Sequence, residues 1–111
     1  MMDSYTETGG ARIGRSYWLA LHASYPLATL TVTADFIELQ VKGLGLFTRG
    51  NIRRFPRSSI VRLTRKRGLF SQGLRIEHSL ANTEPYMLFW SFNIEKTIAH
   101  LSQLGHHVDD E

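Results

Sequence analysis

The side chains best suited to chemistry in this chain are guanidinium groups, and they crowd into one stretch. Between Glu38 and Glu77 there is no carboxylate, yet ten of the thirteen Lys and Arg residues lie there: Lys42, Arg49, Arg53, Arg54, Arg57, Arg62, Arg65, Lys66, Arg67 and Arg75. All ten Asp and Glu residues share the rest of the chain with only Arg12, Arg15 and Lys96, so a net +3 conceals a middle of +10 and a remainder of −7. Most of these bases are arginine, whose planar fork meets carboxylate or phosphate oxygens two at a time. Charge segregated in this way makes a dipolar surface that can steer an anionic partner. The residues expected to engage it are Arg53, Arg54, Arg57, Arg62, Arg65, Lys66 and Arg67. The competing reading is a solvated sheet face whose arginines pair with Glu38, Glu77 or Glu84.

Phe70 adds a second possibility. The run Arg65-Lys66-Arg67-Gly68-Leu69-Phe70 places two apolar residues after three bases. Such a loop can be drawn to anionic lipid by charge and insert shallowly; otherwise Leu69 and Phe70 fold back on the core. Nucleic acid is disfavoured, because single-strand binders interleave aromatic platforms with their bases. Only Phe47, Phe55 and Phe70 fall in the basic stretch.

Catalytic patterns are missing. There is no cysteine, no Gly-x-Ser-x-Gly, no Walker loop and no His-x-x-x-His. The five histidines are His22, His78, His100, His106 and His107, and adjacent ligands such as the last two rarely complete a metal site. No carboxylate pair occupies one structured element. The expectation is a non-catalytic chain with no cofactor and no metal.

The elements that must position the arginines read mainly as β. One hundred and eleven residues, 42% hydrophobic and 21% charged, suit one globular domain. Without cysteine, a signal-peptide pattern or a 20-residue apolar run, the expected location is the cytoplasm, with peripheral attachment at the inner membrane surface left open. Residues 1–14, rich in Gly, Ser and Thr, are expected to be a flexible arm. Strands are expected over Tyr17 to Ala23, Thr29 to Thr33 and Phe36 to Lys42, with a break at Tyr25-Pro26 and a hairpin turn at Ala34-Asp35. In the third, Ile37, Leu39 and Val41 face one way and Glu38, Gln40 and Lys42 the other. A short strand is expected within 44–50, then strands at Ile52 to Phe55, Ser59 to Arg65, Leu74 to His78 and Tyr86 to Ser91. The period then changes. Ile94, Ile98, Leu101 and Leu104 form a helical stripe, with Asn93 as N-cap and Gly105 just past the C-terminus. The domain is therefore expected over 15–105, with 106–111 a frayed acidic tail. The expected architecture is a small bent barrel or sandwich of about seven antiparallel strands, capped by one C-terminal helix.

This order resembles the pleckstrin-homology-like superfold, nearest to small bacterial PH-like and GRAM-like domains. The resemblance rests on the hairpin Leu30-Thr31-Val32-Thr33-Ala34-Asp35-Phe36-Ile37-Glu38-Leu39, the strand entry Phe55-Pro56-Arg57-Ser58-Ser59-Ile60, and Met87-Leu88-Phe89-Trp90 running into the helix. It covers about residues 17–105. It implies binding of a phosphoinositide, a peptide or another protein. Lipid-binding members use basic residues between their first two strands, and Ser24-Tyr25-Pro26 has none. The leading expectation is an adaptor whose Arg-rich face docks an acidic protein surface or, through Asp109-Asp110-Glu111, another copy of itself. The alternative is an anionic lipid headgroup at the 65–70 loop.

Overall fold

Period-two alternation dictates most of the architecture. In the computed structural model, residues 3–16, 20–42, 52–68, 72–81 and 83–110 are described. The elements are β1 (Ser4–Gly14), β2 (Ala20–Thr33), β3 (Phe36–Val41), β4 (Ile52–Pro56), a 3₁₀ turn (Arg57–Ser59), β5 (Ile60–Arg67), β6 (Gln72–His78), β7 (Tyr86–Ser91), α1 (Ile94–Gln103) and β8 (Asp109–Asp110). The eight strands form one mixed sheet in the order β4-β3-β2-β1-β7-β6-β5-β8. Every ladder is antiparallel except β5 with β8. The mainly β character and single C-terminal helix agree with the sequence. Among the described residues the barrel does not close: β4 and β5 are joined through the 3₁₀ turn, and no ladder connects them.

One face of the sheet makes the core. Leu30, Val32, Ile37, Leu39, Phe55, Leu74, Ile76, Met87 and Phe89 are wholly buried there. Each large side chain so buried contributes roughly 2–3 kcal/mol. α1 covers this face with Ile94 and Leu101, while Ile98 and Leu104 pack at its margin. The helix starts where Asn93 Oδ1 accepts from the Lys96 amide at 3.3 Å. It stops at Gly105, whose φ of 86° suits glycine. There the Gly105 amide donates to Ser102 O and the His106 amide to Leu101 O, the paired bonds of a Schellman motif.

Three sequence expectations are corrected. Residues 4–14, read as a flexible arm, are the central strand β1, laddered to β2 on one side and β7 on the other. The glycines that suggested flexibility answer a need for close approach. A Cβ on Gly9 would stand 2.1 Å from the Trp90 carbonyl oxygen, and one on Gly10 would stand 2.8 Å from that of Ala23. Tyr25-Pro26 does not break the chain into two strands. β2 runs through it as a bulge, with Ala23 and Ala28 both laddered to β1 on either side. Ser24-Tyr25-Pro26 therefore lies inside β2, and the connection between the first two strands carries Arg15. Third, residues 106–110 of the segment expected to fray are held. His106 is 5% exposed with Nε2 2.7 Å from Thr33 O, and Asp109–Asp110 pair with β5. The strand expected within 44–50 and the tip residues Leu69 and Phe70 lie outside the described residues.

A polar cluster fastens α1 to the sheet. Glu7 on β1 accepts hydrogen bonds from Tyr5, Ser91 and Thr97, the last wholly buried on α1. The Tyr5 ring stacks on His100 at 4.1 Å. Burial first, and then the hydrogen bond to Glu7, push the Tyr5 phenol up to about 12.

Candidate anion-docking edge

Strand alternation distributes the expected arginines over both faces. On β4, Arg53 shares the core side with Phe55, while Arg54 turns outward beside Glu38. On β5, Leu63, Arg65 and Arg67 point to the core side and Arg62, Thr64 and Lys66 to the other. No single Arg-rich face results, and the partners of each side chain show why.

Arg53 Nε reaches Glu84 Oε1 at 2.9 Å and Nη2 reaches Oε2 at 3.0 Å, a bidentate fork. It holds the Glu84 carboxyl below its ordinary value, against the opposing effect of burial. Arg54 meets Glu38 at 3.1 Å and lies over the Phe36 ring at 4.2 Å. Glu38 and Glu84 are thus engaged as the solvated-face reading expected. Arg65 is only 13% exposed, bonding Glu95 on α1 at 2.6 Å and Gln72 at 2.7 Å. It works as a strut between β5 and the helix.

Arg57 serves the helix end. Its guanidinium donates to Ala34 O at 3.1 Å, to Leu104 O and to Gly105 O. Carbonyls left unpaired at a helix C-terminus attract a cation. The Schellman turn and Arg57 together direct the chain after Gly105 back toward β5.

What gathers at β5 is therefore a smaller set. β8 lies parallel to β5, with Asp109 opposite Thr64 and Asp110 opposite Arg65. Arg62 Nε donates to Asp109 Oδ2 at 2.8 Å, and Arg67 Nη2 to Asp110 at 3.3 Å. His107 Nε2 lies 2.8 Å from Asp109 Oδ1. The hydrogen bond from Arg62, followed by that from His107, lowers the Asp109 pKa. The hydrogen bond to Asp109 in turn raises that of Arg62. Both arginine side chains remain 53% exposed. Lys66 is half-buried and also engaged. Between β5 and residues 105–109 runs a cleft of about 280 Å³, with Ile60, Val61 and Leu63 in its wall and Arg57 and Arg62 at its rim. Val61 is 70% exposed.

Sequence reasoning missed this edge because it placed Asp109 and Asp110 in a loose tail. The available signal was Gly105, which ends the helix and reverses the chain, followed by two carboxylates. Among the described residues, no cluster of three or more His, Asp or Glu could hold a metal, and no helix is long and apolar enough to cross a membrane. No protein-family model matches the chain, and no curated protein matches it in sequence.

Proposed function

We propose that this chain is a non-catalytic, PH-like binding module that docks an acidic protein segment on the basic residues of β5. One observation carries the reading. Arg62 and Arg67 already hold carboxylates through pairs exposed to solvent on both sides. Exposed pairs are weakly held, because water screens them and two long side chains must be ordered. A carboxylate from another chain can replace the chain's own at little cost. The sheet order, with α1 following the seventh strand, supports the PH-like assignment as an expectation of fold type.

The anionic-lipid alternative relied on Arg65, Lys66, Arg67 and Phe70. It has less support, since Arg65 is committed to Glu95 and Gln72. The test is titration of a fluorescent Glu-rich peptide at low salt, up to several millimolar, alongside vesicles containing phosphatidylserine. The expected outcome is peptide binding that weakens as ionic strength rises. Arg62→Ala/Arg67→Ala lowers it about tenfold, whereas Arg54→Ala changes it little. Absence of peptide binding at low salt, or equal binding by the double variant, refutes the proposal.

A further inference from the structure

We infer that the outer edge of β5 is a strand-addition site for an extended acidic segment of a partner protein, and that residues 107–110 occupy it as a tethered competitor. This rests on the reading of β5 as the docking strand and adds the binding mode, the motif and the gate. A strand edge presents unpaired backbone N–H and C=O groups, which favour pairing with another extended chain. β5 spans eight residues, and β8 ladders with only two of them, Thr64 and Arg65.

The occupant also fits incompletely. Thr64 stands directly opposite Asp109, yet its buried Oγ1 has no hydrogen-bond partner among the described residues. A buried hydroxyl without a partner is costly, so a segment that satisfied it would gain over the chain's own. The cleft beside Ile60, Val61 and Leu63 leaves room for side chains upstream of the acidic pair.

The chain's own segment spells out the motif. Val108 packs against the core cluster, Asp109 meets Arg62 and Asp110 meets Arg67. The partner is thus an extended segment with an apolar residue followed by two acidic ones, running parallel to β5. Detachment is local. His106 stays anchored by its ring contact to Thr33 O and by the hydrogen bond its amide donates to Leu101 O, while His107 is 85% exposed. The hinge falls between those two residues. Tethering gives the internal segment a high effective concentration. The affinity seen by a partner is reduced by the fraction of molecules in which the edge is vacant.

The test uses a fluorescein-labelled peptide of residues 106–111 and an analogue with Asn and Gln in place of its acids. Anisotropy is measured with wild type, Asp109→Asn/Asp110→Asn and Arg62→Ala/Arg67→Ala. The neutralised-tail variant should bind the acidic peptide about tenfold more tightly than wild type. Amide shifts should fall on Thr64 to Arg67, and the amide analogue should not bind. If the double variant misfolds, Asp110→Asn alone should give about threefold. Equal affinity of wild type and neutralised-tail chains, with loss in Arg62→Ala/Arg67→Ala, overturns the gate while leaving β5 as a docking strand. No binding by any chain removes both. Wild-type dimers that disappear on neutralising Asp109 and Asp110 overturn the assignment by making a second copy the occupant. Binding of phosphatidylserine vesicles in place of peptide overturns it in favour of lipid.

Discussion

Tyr5 and Glu84 show how single groups report on the packing around them. The Tyr5 phenol is kept neutral by burial and by its bond to Glu7, so its pKa stands at about 12 rather than the usual 10.0. A raised folded value means that stabilisation is fully present below pH 10 and is lost as pH rises through about 12. A difference absorbance titration of wild type against Tyr5→Phe should show one phenol ionising near 12; ionisation near 10 would mean the Glu7 cluster is not formed. Glu84 has the opposite sign. Arg53 lowers its pKa from 4.5, so its contribution is present above that value and is lost as pH falls through the lower folded one. Melting of wild type and Arg53→Met should differ by a constant amount above about pH 5, and the gap should shrink in more acid solution. A gap independent of pH would show that Arg53 acts through packing alone.

At the scale of elements, two glycines do different work. Gly9 permits β1 to lie against β7, where a Cβ would stand 2.1 Å from backbone. Gly105 permits the left-handed turn that ends α1. Denaturant titration should find Gly9→Ala the more damaging, by about 3 kcal/mol, because the obstructing atom is a carbonyl oxygen that cannot rotate away. Gly105→Ala should cost about 1–2 kcal/mol for the strained φ. A mild Gly9→Ala would indicate that β1 and β7 can separate. Element types were largely legible: β3, β4, β7 and α1 appear within a residue or so of where alternation and capping placed them. β1 was not, because its core-facing positions include Gly9 and Ala11, which are small and carry no apolar period. Nor was β8, since two polar residues have no periodicity to read.

For the whole molecule, stability comes from the core and the charges act at the surface. Phe89 is wholly buried in the core, its ring beside Gly9 of β1. Phe89→Ala should cost about 3–5 kcal/mol, a large part of the roughly 5–10 kcal/mol available to a domain of this size. Urea unfolding checks this, and a loss below about 1 kcal/mol would contradict the burial. Neutralising Asp109 and Asp110, by contrast, should shift Tm by only about 1–2 °C, since exposed pairs contribute little. That separation lets the β5 edge be altered without endangering the fold.

The amino-acid sequence alone determined the charge segregation, the β-rich class, the terminal helix with both its caps, and the absence of familiar catalytic patterns. Each follows from composition or from a period that neighbouring residues reveal. Only the tertiary structure decided which guanidinium serves which carboxylate. Arg53 with Glu84, Arg65 with Glu95 and Arg62 with Asp109 are joined by the curl of the sheet and by the reversal at Gly105, contacts between residues some thirty to fifty positions apart. Alternation tells each arginine which face to take, but the acid waiting there is set by sheet order, and sheet order is a property of the folded chain.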